Sequence, residues 1–471
     1  MSNESLTRLI MKITLISPPC LSLTTSPPLG LGCIAAILEK NNYSVKILDF
    51  TKAKISIKEA ANSIKQTNPD LIGISISTPR FPSAKLLIKE IKKEDKDIPI
   101  LVGGAHISAL PLYSLKDLQA DWGIIGEGEF STLKLVKSLE NNQKDFSNLK
   151  GLIYKEDSKI KLAAPPEPIE DLDSLPFPSW PQISPKSYPP NPWQLFYKRF
   201  PVAPIITSRG CPYSCIYCAS YVTQGKKFRS RSAENVVEEM EYLIKDFEVK
   251  EFQVLDDCFN FKVSHALSIC EEIIRKRLNI VWKTPNGILL DNLNTELLKA
   301  MKESGCYELG FGIESADEEV LRKNKKKLNI KGAYQRLKEV KNIGIETYGF
   351  FMLGLLGDTQ SSIKRTISFA KEAPLDLAHF SLCIPLPGSE LFENYIKDES
   401  LENIDWERFY YFNPFNLSSI PPQKLKKEIR RALFGFYFNI SRLITILKRI
   451  KLRQISYFLR LILSYTGSNK A

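Results

Sequence analysis

Residues 202–220 read VAPIITSRGCPYSCIYCAS. An apolar run of strand character breaks at Gly210 into a loop that carries three cysteines in eight positions: Cys211, Cys215 and Cys218. The strand that delivers them is the first of a series. Strand-like runs recur at EFQVLDD, IVWKTPNGI, CYELGFGIES, IETYGFFMLG and LAHFSLCIPLPGS. Amphipathic helical stretches fall between them at Ala233–Phe247, His265–Arg277, Thr295–Glu303, Ile330–Asn342 and Gln360–Ala373. Six strands joined by right-handed helical crossovers predict a partial (βα)6 TIM-like barrel. Chemistry in such barrels gathers at the C-terminal ends of the strands. The unusual residues fall there. The cysteine loop follows the first strand, Asp256 and Asp257 end the second, and Asn286 ends the third. Glu314 ends the fourth, Gly354 the fifth, and Pro385-Leu386-Pro387-Gly388 the sixth.

Three thiolates on one loop constrain what they hold. A structural zinc site wants four protein ligands in a closed tetrahedron, and no fourth Cys or His lies within 30 residues of Cys218. A ferredoxin-type cluster takes four thiolates. Three suit a 4Fe–4S cluster with one iron left for a ligand that is not protein. The other six cysteines (Cys20, Cys33, Cys258, Cys270, Cys306 and Cys383) are scattered and mostly lie in apolar runs, so they read as buried small hydrophobes.

Ahead of the barrel, from Lys12 to about Asn141, short apolar strands such as KITLISPP, YSVKILDF, DLIGISIS, IPILVGG and DWGIIGEGE alternate with helical stretches. That alternation predicts a five-stranded, doubly wound parallel sheet of Rossmann-like type, which binds ligands beyond the carboxyl ends of its strands. At those ends stand Pro18-Pro19, Ser77-Thr78, Gly103-Gly104-Ala105-His106 and Gly126-Glu127-Gly128-Glu129. Residues 150–200 then fill with proline and read as an extended connector. The expected division is residues 1–145 for the first domain and 146–200 for the linker. The barrel takes 201–395, and 396–471 form a helical, basic C-terminal region.

The loop Cys211-x3-Cys215-x2-Cys218, with Tyr217 before the last cysteine, resembles the cluster loop of the radical S-adenosylmethionine (radical SAM) superfamily. The resemblance implies a 4Fe–4S cluster whose open iron chelates SAM and whose electron yields a 5′-deoxyadenosyl radical. It extends to LDD (Asp256, Asp257) for the SAM amino group, FGIES (Glu314, Ser315) for the ribose and methionine moiety, and GFFMLGLLGDT (Gly354) along the adenine. Leu356 and Asp358 depart from the family's proline and glutamate there, which is expected to loosen that turn. Lys326, in VLRKNKKK, matches a basic residue that meets the SAM carboxylate.

The N-terminal motifs, in order, resemble the cobalamin-binding domain of cobalamin-dependent radical SAM enzymes. This implies a corrin site at Pro19, Ser77, Thr78, Gly103, Gly104, His106, Gly126, Glu127 and Gly128. Asp-x-His-x-x-Gly is missing, so cobalamin is expected to bind without a protein histidine ligand. The pairing implies methylation of an unactivated carbon, or in some relatives oxidative cyclisation or ring rearrangement. A methylthiotransferase would want three more cysteines in the N-terminal domain, where only Cys20 and Cys33 stand. A non-catalytic sensor would not need an open-iron loop.

The composition of the 471 residues, 43% apolar and 25% charged, is that of a globular chain. Neither a secretory pattern nor an apolar run of ~18 residues is seen, so a cytoplasmic location is expected. The formal charge of +12 is concentrated: Lys424 to Arg460 hold eleven Lys or Arg against one acid, Glu428. The body is thus near neutral and no nucleic-acid partner is expected. The basic tail, rich in Phe, Ile and Leu, reads either as a helix on an anionic membrane surface or as a cap packed on the barrel. Membrane contact would suit a small lipid, isoprenoid or porphyrin substrate. The cluster requires an external electron donor such as flavodoxin or ferredoxin.

Overall fold

The computed structural model describes residues 11–20, 25–52, 54–157, 159–190, 196–397, 399–409 and 413–451. The sequence beyond residue 451, including the end of the basic tail, lies outside the described residues. The chain forms two compact units, one of Met1–Leu21, Pro28–Ile169 and Ser174–Ile183, the other of Ser22–Pro27, Glu170–Asp173 and Ser184–Ala471.

The first unit contains strands β1 (Lys12–Ser17), β2 (Ser44–Asp49), β3 (Leu71–Ser75), β4 (Ile100–Gly103), β5 (Trp122–Ile124), β6 (Leu152–Glu156) and β7 (Lys159–Leu162). Its helices are α1 (Leu29–Lys40), α2 (Ile57–Lys65), α3 (Phe81–Glu94), α4 (Ala105–Ala109), α5 (Pro111–Leu118) and α6 (Glu129–Glu140). The sheet order is β2-β1-β3-β4-β5-β6-β7, with the first five strands parallel. Ile13, Leu15, Ile16, Leu71, Ile72, Ile100 and Val102 are buried, as strands covered on both faces require. Helices α1 and α6 pack together, and α2, α3 and α5 form a second group.

The sheet has seven strands rather than the five expected. Residues 152–162, assigned to the linker from sequence, form an antiparallel hairpin on β5. The physical reason is the edge: β5 has three residues, and Leu152, Ile153 and Tyr154 bury their side chains while pairing its open side.

The second unit holds β8 (Val202–Ile205), a two-residue ribbon of β9 (Ser208–Arg209) and β10 (Arg229–Ser230), then β11 (Glu251–Val254), β12 (Val281–Ile288), β13 (Cys306–Glu314), β14 (Glu346–Leu353) and β15 (Leu377–Leu382). The helices are α7 (Tyr221–Gln224), α8 (Ala233–Phe247), α9 (Val263–Arg275), α10 (Thr295–Glu303), α11 (Glu318–Lys323), α12 (Ile330–Asn342), α13 (Gln360–Glu372), α14 (Glu390–Tyr395), α15 (Pro422–Tyr437) and α16 (Ile440–Arg449). Six parallel strands in the order β15-β14-β13-β12-β11-β8 make the expected partial barrel. Its helices start on side-chain caps where the sequence offers them, as at Ser232, Asn294, Asp317, Asn329 and Thr359.

The edge of β15 is closed by α15. Tyr437 Oη accepts from the Ala378 N–H at 3.1 Å and donates to its carbonyl at 2.7 Å, while Leu425, Ile429, Ala432 and Phe436 are buried. Of the two readings of the basic tail, α15 thus follows the barrel-cap one.

At the N-terminal end of the strands, Lys283 and Glu308 are buried side by side at 3.3 Å. Arg449, from the end of α16, completes the group at 2.6 Å from Glu308 and also pairs with Glu346. Lys283 further donates to the Phe196 carbonyl at 2.8 Å. Burial alone would raise the Glu308 carboxyl. Lys283 and Arg449 outweigh it and hold the group below its ordinary value.

A lowered carboxyl contributes stability in full above its unfolded value and loses it as pH falls through the folded one. Arg449→Ala is therefore expected to cost roughly 3–5 kcal/mol in urea melts at pH 7. The deficit should shrink below the ordinary Glu value of about 4.3. A deficit unchanged at low pH would assign the loss to packing on the Phe196 ring, which the Arg449 guanidinium overlies at 5.7 Å, not to charge.

Candidate functional site

Beyond β8 the chain enters the cysteine loop through Thr207 and Ser208. The buried Asp256 carboxylate accepts from the Thr207 N–H at 2.7 Å, the Thr207 hydroxyl at 2.6 Å and the Ser208 hydroxyl at 2.5 Å. Thr207 Oγ1 also meets His265 Nε2 at 3.0 Å. Asp256 thus fastens the end of β11 to the root of the loop. Asp257 beside it keeps one buried oxygen without a protein partner. Burial first, and the Asp256 charge second, push its carboxyl up to about 6.

The loop has neither helix nor strand between Gly210 and Ser220, and its middle is pinned by Ile216. Ile216 packs in an apolar cluster with Val320, Leu355, Cys383 and Leu391, and Tyr217, Met352 and Leu417 border it. The Ile216 N–H donates to the Asn324 carbonyl at 3.2 Å, and its own carbonyl accepts from the Leu391 N–H at 2.8 Å. Tyr221 holds the far end by donating to the Gly388 carbonyl.

Cys211, Cys215 and Cys218 are free and partly exposed, in contrast to the buried Cys258, Cys270, Cys306 and Cys383. The charge of Cys218 acts on Cys215, and that of Cys211 acts on Cys218. A hydrogen bond with Cys258 lowers Cys211 to about 7, whereas burial raises Cys215 and Cys218. The Lys326 ammonium acts on Cys211, Cys215 and Glu314, so the structure brings this lysine into the group. Tyr217 interacts with Cys215 and Glu314. The donor set, three separate thiols beside a cation and unpaired carboxylate oxygen, fits a cluster with a small zwitterionic ligand.

Glu314 closes β13 with φ 64°, a left-handed conformation rare for glutamate. Burial raises its carboxyl and Lys326 opposes that. A Cβ on Gly312 would lie 2.7 Å from Glu314 Oε1 and 3.3 Å from Lys326 Nζ, so these two side chains converge over Gly312. Ser315 is buried and turned inward. Its hydroxyl lies 3.3 Å from Thr366 Oγ1 and accepts from the Asp317 N–H at 3.2 Å. Asn286 is turned outward by the irregular end of β12 and donates to the Leu255 carbonyl at 2.7 Å.

The turn after β14 is not loosened as the sequence suggested. The Asp358 carboxylate accepts from the Gly354 and Leu355 N–H groups at 2.9 and 3.0 Å and from the Ser362 hydroxyl at 2.6 Å. Asp358 is short enough to close this turn itself. Asn324 was hidden within a basic run. Its amide donates to the Val320 and Leu356 carbonyls at 2.7 and 2.9 Å, joining the cysteine loop to the β14 turn. The one sequence signal was an uncharged amide amid five basic residues.

In the first unit, the expected corrin residues lie at or just beyond the carboxyl ends of β1, β3, β4 and β5. Pro19 accepts from Ser83 Oγ at 2.7 Å, and Ser77 starts a short turn holding the buried Thr78. Gly104 has φ 96°, and a Cβ there would strike Ile76 O at 2.8 Å. Gly126, with φ 80°, donates to Ser108 Oγ at 2.9 Å, and Glu127 accepts from the Ile169 N–H at 2.6 Å. Gly128 opens α6 with its Cβ position 3.1 Å from Ile34. A Cβ at Gly103 would meet nothing nearer than 3.9 Å.

His106 lies in α4, directly after β4. It is fully buried, its ring 4.1 Å from that of Phe81 and its Nδ1 3.2 Å from Thr78 Oγ1. Burial lowers it to about 3, so the ring is neutral.

The radical SAM superfamily model matches residues 205–370, and the B12 binding domain model matches residues 22–135. An uncharacterized methyltransferase of Pyrococcus horikoshii is 30% identical over 438 residues, which are 91% of this chain and 93% of the relative. The cytidylyl-2-hydroxyethylphosphonate methyltransferase of Streptomyces wedmorensis is 29% identical, covering 79% of this chain and 78% of that one. The anaerobic magnesium-protoporphyrin IX monomethyl ester cyclase of Rubrivivax gelatinosus is 27% identical, covering 82% and 69%. Among solved structures, the radical SAM methyltransferase TsrM of Kitasatospora setae, with cobalamin and a 4Fe–4S cluster bound, superposes with a TM-score of 0.69 at 18% identity. The match covers 89% of this chain and 82% of that one, a likeness of fold.

Removing the Asp358 carboxylate orphans two buried backbone donors and a hydroxyl. Asp358→Ala is expected to cost roughly 2–4 kcal/mol and to speed amide exchange at Gly354 and Leu355. Unchanged exchange at those two amides would take Asp358 out of this role.

Proposed function

The chain belongs to the radical SAM superfamily, with a B12-binding domain ahead of the radical SAM domain, and on that premise we propose that it methylates an unactivated carbon of a small molecule. The observation that carries this reading is the gathering of three free thiols with Asp257, Glu314 and Lys326 at the C-terminal ends of the barrel strands. Bound there, a 4Fe–4S cluster would supply the electron for reductive cleavage of SAM, and cobalamin would supply the methyl carrier.

The chain's own residues bind and orient. Cys211, Cys215 and Cys218 ligate the cluster and leave one iron to SAM. Asp257 takes the SAM amino group, because its unpartnered oxygen needs a donor. Lys326 faces the SAM carboxylate, and Glu314 with the Gly354 turn lines the ribose and adenine. Asp256 and Ser315 hold the loops that present these groups. Ile216 and its apolar neighbours keep water from the back of the loop. The substrate class is a small apolar molecule of lipid, isoprenoid or porphyrin type, and the electron donor a flavodoxin or ferredoxin. Oxidative cyclisation is the second reading, favoured by the likeness to the Rubrivivax gelatinosus cyclase.

Cobalamin binds in this reading without a histidine ligand. His106 is fully buried beside Phe81 and Thr78.

After anaerobic reconstitution with iron, sulfide and hydroxocobalamin, incubation with SAM and a strong reductant is expected to give both 5′-deoxyadenosine and S-adenosylhomocysteine. Cys215→Ala should abolish the nucleoside, and Asp257→Ala should weaken SAM binding by about tenfold or more, the loss of one charged hydrogen bond. The nucleoside alone, with cobalamin bound, would favour cyclisation. No cluster and no cobalamin would sink both readings.

A second check is spectroscopic. Electron paramagnetic resonance of bound cob(II)alamin should lack nitrogen splitting from protein, and ¹⁵N-histidine labelling should leave the spectrum unchanged. A label-dependent splitting would reinstate a histidine ligand.

A further inference from the structure

Six of the twelve large apolar side chains exposed among the described residues come from residues 434–447. Phe438 is 86% exposed, Ile440 78%, and Phe434 and Leu447 each 69%, with Leu443 and Ile444 beside them. On α16 the usual polarity is reversed. Arg442 stacks on the Phe436 ring at 3.8 Å and donates to the Phe436 and Lys371 carbonyls at 3.2 and 2.8 Å. Arg449 is committed to Glu308 and Glu346. These two arginines tie the polar side of the helix to the barrel. Ile440, Leu443, Ile444 and Leu447, spaced as one helical face, are left pointing outward. A contiguous exposed apolar strip of this kind marks an interaction surface.

The chain just before the strip supplies the charge. Lys424, Lys426, Lys427, Arg430 and Arg431 are exposed along α15, and the one acid of residues 424–451, Glu428, is buried. We propose that the α15–α16 corner docks on an anionic lipid membrane. The apolar strip sinks into the boundary between headgroups and acyl chains, and the lysines and arginines lie among lipid phosphates. Charge complementarity selects this occupant: a second copy would set two strongly basic segments against each other, and a nucleic acid would leave the apolar strip in water. The attachment is peripheral. Among the described residues, no helix is long and apolar enough to cross a membrane. The inference stands apart from the reaction assigned above, because it needs neither cluster nor cobalamin.

The test is flotation of the full chain, reconstituted or not, with vesicles of phosphatidylcholine containing phosphatidylglycerol and with vesicles of phosphatidylcholine alone. Binding to the anionic vesicles is expected, weakened about tenfold or more by Ile440→Glu with Leu447→Glu and, independently, by Arg430→Glu with Arg431→Glu. Leu86→Glu, an exposed apolar position in the other unit, should leave it unchanged. Circular dichroism and melting temperature check that each variant is folded. Absent binding, equal binding to both vesicle types, or binding indifferent to both double variants would overturn the proposal. So would lipid-free self-association seen by light scattering and abolished by Ile440→Glu with Leu447→Glu, which would give the strip to a second copy.

Discussion

A loop with no helix or strand can hold three thiols in fixed relation only if its root, middle and end are each fastened to something rigid. Asp256 performs the first task, Ile216 the second and Tyr221 the third. Fastening by Asp256 is costly in the abstract, since a fully buried carboxylate is unfavourable, and burial does raise its carboxyl. Three short hydrogen bonds from Thr207 and Ser208 offset that cost and convert it into positional certainty. The division of labour within Asp256-Asp257 follows. One carboxylate is spent on structure, and its neighbour is left incompletely satisfied at the site.

The two ends of the barrel differ in the same sense. At the N-terminal end, Lys283, Glu308, Arg449 and Glu346 form a charge group with opposite signs in contact. At the C-terminal end, Asp257 has an oxygen without a protein partner and Glu314 sits in a left-handed backbone conformation. Unsatisfied polar atoms and backbone strain persist only where surrounding packing over-determines them, and they concentrate where a ligand completes the set. The saturated end stabilises the barrel that carries the unsaturated one.

The succession of strands and helices was legible because its periodicities are local: Ala233–Phe247, Thr295–Glu303 and Ile330–Asn342 begin and end where the amphipathic pattern indicated. The three cysteines were legible because their spacing is local too. What escaped was what depends on distant partners. Arg449 reads as one more solvated cation, since Glu308 and Glu346 lie 141 and 103 residues away in sequence. Asn324 is a lone amide in a charged run until Ile216 and Leu356 are brought to it. Lys326 resembled a solvated charge by composition, and only its likeness to a family motif singled it out. The β6–β7 hairpin was overlooked because the prolines that follow it made the whole stretch read as connector.

The C-terminal region shows how one constraint propagates. A six-stranded open barrel leaves β15 with an unpaired edge, and α15 covers it through Tyr437 and its apolar face. Once α15 lies there, the chain turns at Phe438 and Asn439, and α16 joins the charge group at the N-terminal end of the barrel through Arg449 while Arg442, on the same side, holds the Lys371 carbonyl. An amphipathic helix anchored by its polar side has to present its apolar side to the surroundings. The outward-facing strip is thus a consequence of how the barrel is closed and neutralised.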